Sequence, residues 1–228
     1  MNRIGIRIAA ALLACAAWSA SAQVVISQVY GGGGNSGATL KSDFIELRNN
    51  GSAPVDLGGW SVQYASASGG TWQRTALSGT IAPGGYFLIK QADGSGGSVD
   101  LPTPDAIGTI PMSGSAGKVA LVAGTTVLSG TCPLGGAVVD FVGYGAANCA
   151  ETAPTPALGS TTAAIRNGGG SVDTGNNSAD FALGAPRPRN SGTQAPEPPL
   201  ALAISRIQGD GPLSPYDGKR VVTEGIVT

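Results

Sequence analysis

Glycine and proline break this chain into pieces too short for ordinary helices: of its 228 residues, 37 are glycine and 15 are proline. They cluster between short runs of β-branched and aromatic residues, which is the pattern of strands joined by turns. Val24–Tyr30 is such a run and ends at the glycines 31–34. Asp43–Arg48 alternates, with Ile45 and Leu47 on one face and Glu46 and Arg48 on the other, before the turn Asn49-Asn50-Gly51. Trp60, Val62 and Tyr64 recur at period two, and Ala82–Gly85 is a turn ahead of the apolar run Tyr86–Lys90. Lys118–Val122 and Val138–Tyr144 read as further strands, and Thr161–Arg166 as a weaker one. Past residue 22 no window carries a sustained helical apolar stripe. The expected class is all-β, a sandwich of about eight short strands.

The front of the chain differs from the rest. Arg3 and Arg7 precede the apolar run Ile8–Trp18, and Ser19–Ala22 fits a small-residue cleavage site before Gln23. Residues 1–22 are therefore expected to be a signal peptide, which makes the protein secreted or extracellular. Leu12–Cys15 resembles a lipobox and offers the alternative of a lipid on Cys15. That cut leaves only a short apolar run, so cleavage after Ala22 is the preferred reading. Cys132 and Cys149 then remain as an even pair, expected to form a disulfide that closes a loop of 16 intervening residues.

The chain contains no histidine. Serine and cysteine triads, histidine-based zinc sites and imidazole-activated water are thereby excluded, while chemistry by paired carboxylates or a carboxylate-bound metal stays open. Loss of Arg3 and Arg7 with the signal leaves 11 basic against 14 acidic residues, a net charge of −3. With no run of lysine or arginine, strong electrostatic binding to phosphate is not expected of this segment.

Four groups of residues invite a functional reading. Gly31–Gly37 (GGGGNSG) lacks the spacing and following helix of a phosphate loop and reads as a flexible connection. Asp173–Asp180 (DTGNNSAD) offers oxygen ligands to calcium but fails the EF-hand spacing, so Asx-turn capping is the expected use of Asp173 and Asp180. Asp43 and Glu46 stand at an odd offset, on opposite faces of one strand, and are expected to be solvent-facing charges. Trp60, Tyr64, Trp72 and Tyr86 could form a binding platform, but aromatics at strand positions are expected to pack in the core.

Between Ala185 and Leu200 the sequence APRPRNSGTQAPEPPL marks a domain boundary. The expected organisation is a sandwich over 23–192, a proline-rich linker over 193–200, and the opening of a second, incomplete β-domain over 201–228, with strands at Leu202–Gln208 and Arg220–Thr228. The 28 residues after the linker are too few to close a core, so the chain is expected to be the front of a longer protein.

The series Val25–Gly34, Asp43–Leu47, Asn49, Gly51, Pro54–Leu57, Gly59-Trp60, Pro83–Tyr86 and Val139–Tyr144 resembles the lamin-tail domain of bacterial secreted proteins. The resemblance runs from about Val24 to Ser191 and implies an immunoglobulin-like β-sandwich. Ile204–Gly209, Ser214-Pro215, Gly218 and Val222–Thr228 are similar to the segment that follows this domain in bacterial extracellular nucleases. In those proteins a metal-dependent catalytic domain of the endonuclease/exonuclease/phosphatase type lies further on. The resemblance supplies no catalytic residue here. It implies a non-catalytic binding or positioning module with no cofactor of its own. The partners in view are a downstream catalytic domain, nucleic acid or cell-envelope components. The alternatives are a free-standing surface or matrix interaction domain and, third, a metal-dependent hydrolase.

Overall fold

The computed structural model describes residues 23–193, 200–208, 214–217 and 221–223. Its strands are β1 (Val24–Tyr30), β2 (Ser42–Asn49), β3 (Val55–Asp56), β4 (Ser61–Ser66), β5 (Gln73–Ala76), β6 (Thr80–Ile81), β7 (Tyr86–Asp93), β8 (Ala106–Ile107), β9 (Gly117–Val122), β10 (Val138–Tyr144), β11 (Ala163–Arg166) and β12 (Phe181–Gly184). A six-stranded sheet in the order β12-β11-β1-β2-β7-β8 faces a four-stranded sheet in the order β10-β9-β4-β5. Alternation decides what lies between them. Ile45 and Leu47 of β2, Ile89 of β7, Val62 of β4, Val119 and Leu121 of β9 and Val142 of β10 form one buried cluster. The expected all-β sandwich is what the chain builds.

The outer faces are also covered. Over the four-stranded sheet, Trp72 packs edge-on against Phe141, with ring centroids 5.9 Å apart, beside Ala120, Val122 and Cys149. Over the six-stranded sheet, Tyr30, Phe44, Leu88 and Ala163 form a third cluster with Leu40. Long loops close both surfaces, so strands that alternate in sequence are buried on both sides. All seven residues of β1 and all six of β9 are buried.

Several expectations need correction. Gly31–Gly34 is a tightly packed turn rather than a flexible connection. A Cβ on Gly33 would lie 2.0 Å from the Ser42 carbonyl carbon, and one on Gly31 would lie 2.3 Å from the Ser113 oxygen. Strands β5 and β12 were not anticipated, because QRTA and FALG carry no apolar alternation. In the tail, the expected strand Leu202–Gln208 is a helix over Ile204–Gln208, where the Arg206 and Ile207 amides both donate to the Ala203 carbonyl. Of the expected strand Arg220–Thr228, Val221–Val222 (β14) is described, and it pairs in parallel with β13 (Leu200–Ala201). Residues 1–22, the expected signal peptide, and residues 194–199 of the expected linker lie outside the described residues.

The front half of the proline-rich segment is part of the sandwich. The Gln28 side chain donates to the Arg187 carbonyl at 2.9 Å and accepts from the Arg187 amide at 2.8 Å. The Glu46 carboxylate accepts from the Arg189 amide at 2.7 Å, and Ser191 is held by Asp105 through its amide at 3.0 Å. Residues 185–191 therefore lie along the outer face of the six-stranded sheet. They belong with the sandwich and not with a linker.

Candidate functional site

The strongest concentration of ionisable groups surrounds Arg166 at the end of β11. Arg166 is fully buried. Its Nε donates to the Ile26 carbonyl at 2.8 Å, its Nη2 to Asp140 Oδ2 at 2.7 Å, and its Nη1 to Asp173 Oδ1 at 3.1 Å. Asp180 Oδ2 lies 3.6 Å from Nη1, and the guanidinium stacks on the Phe181 ring at 4.5 Å. Asp140 projects from β10, where a register shift against β9 falls between Val138 and Asp140. The Asp140 carboxylate also accepts from the Ile26 amide at 2.6 Å and the Phe141 amide at 2.9 Å. One ion pair thus joins the two sheets at the edge where β1 meets β10. Burial pushes the Asp140 carboxyl up, against the pull of Arg166.

In the loop Asp173–Asp180, Asp180 serves as the expected capping group: it accepts from the Thr174 amide at 2.9 Å and the Thr174 hydroxyl at 2.7 Å. Asn176 caps the short helix Asn177–Asp180 by accepting from the Ser178 amide. Asp173 instead pairs with Arg166, and the carboxylates that converge are Asp140, Glu151 and Asp173, with oxygens within 4.8 Å of one another. An all-oxygen set suits a hard cation, but here the Arg166 guanidinium already supplies positive charge to Asp140 and Asp173. Sequence reasoning missed Arg166, Asp140 and Glu151. The available signal was a strand-end arginine preceded and followed within 26 residues by four acids, in a chain with only 12% charged residues.

Asp43 and Glu46 do face opposite sides of β2, but neither is a solvent-facing charge: Asp43 is 4% exposed and Glu46 is 0% exposed. Asp43 accepts from the Gly33 amide at 2.9 Å and the Met112 amide at 2.9 Å, clamping two loops over one end of the core. Glu46 accepts from the Ser27 hydroxyl at 2.6 Å and from Arg189 Nη2 at 2.7 Å. Tyr64, Trp72 and Tyr86 are buried and Trp60 is partly buried against the core, so these aromatics pack rather than form a platform.

Two carboxyls are displaced toward neutral pH. Asp43 is raised to about 7, chiefly by burial. Glu151 is also raised to about 7, by burial and then by the charges of Asp140 and Asp173. An unfolded chain titrates these groups near pH ~4, so between about pH 4 and 7 the folded state binds protons that the unfolded state has released. Their contribution to stability is therefore full below about pH 4 and is lost as pH rises through about 7. Glu151→Gln keeps an acceptor for Asn177 Nδ2, now 3.0 Å from the carboxylate. Its expected effect is a gain of order 1 kcal/mol at pH 8, screening at this half-buried position included, and none at pH 4. Urea unfolding of both proteins across this range measures the difference.

The predicted cysteine pair is a disulfide, with Cα atoms of Cys132 and Cys149 5.3 Å apart. Beside it lies a second buried cation. Lys118 Nζ donates to the Gly69 and Thr131 carbonyls, each at 2.7 Å, and to Asn148 Oδ1 at 2.8 Å, and it sits 5.7 Å from the Trp72 ring centre. Thr131 and Asn148 are the chain neighbours of the two cysteines, so the staple and the ammonium hold the same two loops.

A groove of about 440 Å³ opens on the outer face of the six-stranded sheet. It is lined by Arg166, Arg187 and Arg189, the Asn167–Gly169 turn and Ala182–Gly184 of β12. Gly168 and Gly169 take φ of 63° and 67°, the left-handed region that glycine adopts without strain. Their carbonyls accept from Arg48 Nη1 at 3.2 and 2.6 Å. Arg189 is stacked 3.7 Å from the Tyr86 ring centre and tied to Glu46, while Arg187 is exposed and has no ion-pair partner among the described residues. Among the described residues, no acidic residue lines the groove.

The family model described as lamin tail domain matches residues 18–174. No curated protein matches the chain. Among solved structures, it is similar to the crystal structure of a DUF4876 family protein from Bacteroides thetaiotaomicron, at 14% identity and a TM-score of 0.49, over 78% of this chain and 75% of that one.

Proposed function

Since the chain belongs to the lamin tail domain family, we propose that it is a non-catalytic binding and positioning module of an exported protein, placed ahead of the catalytic domain of an extracellular nuclease. One observation carries the reading. The charged side chains drawn into the sandwich are committed to structural partners: Arg166 to Asp140 and Asp173, Lys118 to three acceptors, Glu46 to Arg189. The one hydroxyl among their partners, Ser27 on Glu46, is fully buried and out of reach of a substrate, and the chain has no histidine to activate a nucleophile. Export is supported by the Arg3, Arg7 and Ile8–Trp18 pattern and by the Cys132–Cys149 disulfide, which belongs to an oxidising compartment. The nuclease context rests on the likeness of Ile204–Thr228 to the segment that follows this domain in such enzymes. In this reading residues 1–22 are the signal, 23–192 the sandwich, 193–200 the linker and 201–228 the opening of a second β-domain.

Fusing residues 1–30 to an alkaline phosphatase stripped of its own signal tests export. The expected result is periplasmic activity, and an inactive cytoplasmic fusion contradicts it. Deleting residues 23–193 from a nuclease that carries this module tests positioning. Turnover on a short duplex is expected to persist while retention at the cell surface or KM on long DNA changes. Loss of turnover itself would place the chemistry in the sandwich. An open frame with no catalytic domain would instead assign a free-standing surface module.

A further inference from the structure

We propose that the groove beside β12 docks an extended acidic peptide segment of a partner protein, which adds a strand at Leu183 and sets a carboxylate against Arg187. The proposal deepens the reading of the chain as a binding module and rests on it. Two independent observations converge on this occupant.

The first is backbone geometry. β12 is the edge strand of its sheet, paired on one side with β11. The Phe181 amide donates to the Asn177 carbonyl rather than across to β11. In an antiparallel pair successive residues turn alternately toward and away from the partner. Leu183, two residues on and opposite Ala164, therefore turns its amide and carbonyl to the open side. Its side chain, on the same face as Ala164 opposite, is 42% exposed. A free amide and carbonyl on an edge strand that lines a cleft are what strand addition uses. Pro186 and Pro188 follow at once and keep longer pairing from forming. The edge accepts a short segment and not a continuous sheet.

The second observation is charge. Three arginines and, among the described residues, no acid line the groove, in a chain whose residues 23–228 carry a net charge of −3; Arg166 is committed to Asp140 and Asp173. Glu46 neutralises Arg189 from below and fixes its plane against Tyr86. Arg187 has its backbone clamped by Gln28 and its guanidinium left to solvent. An arginine held at its backbone and free at its tip is poised for a carboxylate. Nucleic acid fits less well, because tracking a phosphate backbone needs several free cations spread along a path, and here Arg166 and Arg189 are already paired with carboxylates.

The test pans a phage-displayed random dodecapeptide library on the immobilised full chain, with Arg187→Glu as counter-selection. The expected pool is enriched in Asp and Glu. Its best peptide should bind Arg187→Glu at least about tenfold more weakly, and binding should weaken with salt. N-methylation scanned along that peptide should abolish binding at one position, the amide that pairs with Leu183, and this readout leaves the protein unaltered. A pool no more acidic than the starting library, binding indifferent to Arg187→Glu, or displacement by a single-stranded oligonucleotide in preference to the acidic peptide would each overturn the proposal. The phosphatase fusion is independent of this groove, so either reading can fail without the other.

Discussion

Replacing Arg166 by methionine is expected to cost about 3–5 kcal/mol of unfolding free energy, the penalty for leaving a buried carboxylate unpaired. Domains of this kind hold about 5–15 kcal/mol in total, so the variant should be marginal at 37 °C. The loss has identifiable parts. Asp140 is 2% exposed and would keep two backbone donors but no cation, while the Ile26 carbonyl would lose its Arg166 bond. Asp180 and Asp173 would also lose the guanidinium between them. Without Arg166 the Asp140 carboxyl rises further, and a raised carboxyl favours the fold at low pH. The deficit should therefore shrink as pH falls. Urea unfolding of Arg166→Met at pH 5 and pH 8 checks both size and direction.

Breaking the Cys132–Cys149 bridge has the next largest expected effect. With the two cysteines 17 positions apart, the loop-closure contribution is about 3 kcal/mol. For a sandwich of this size that is a fall in Tm of roughly 6–12 °C. The cost is compounded by Lys118, whose acceptors Thr131 and Asn148 are fixed by the bridge. Loosened acceptors leave a buried ammonium short of hydrogen bonds. The double variant Cys132→Ala/Cys149→Ala should therefore lose more than reduction costs Lys118→Met, in which no ammonium is left behind. Thermal melts of the oxidised and reduced proteins, with and without Lys118→Met, separate the two contributions.

The strands with clear apolar alternation were legible from sequence, and Val138–Tyr144 matches to the residue. Short elements were not. β3, β6 and β8 have two residues each and exist by backbone pairing, which leaves no side-chain period to read. The larger gap concerned polar residues. Alternation reveals which side chains share a face, but not whether the second face meets water. Glu46 and Gln28 look like surface residues until residues 185–191, more than 130 positions downstream, lie across them. Lys118 is hidden in the same way by the loops that the disulfide joins. Arg166 sits in the weakest of the anticipated strands, and its partners come from β10, a loop and a short helix. Such a constellation follows from topology, which a one-dimensional period does not contain. The disulfide was legible because only two cysteines follow residue 22.

The central claim is that this sandwich binds and positions but does not catalyse, and DNA hydrolysis measures it most directly. Supercoiled plasmid and a single-stranded RNA are incubated with purified residues 23–228 in Mg²⁺, Mn²⁺ or Ca²⁺ over a range of protein concentrations. Phosphodiester hydrolysis needs an activated water and stabilisation of the developing charge, and of the acids that converge here Asp140 and Asp173 are held by Arg166 and Glu151 by the Asn177 side chain. The account predicts no cleavage above buffer with any of the three metals. Cleavage that depends on metal, scales with protein and disappears in Asp173→Ala or Asp180→Ala variants that still fold would contradict it.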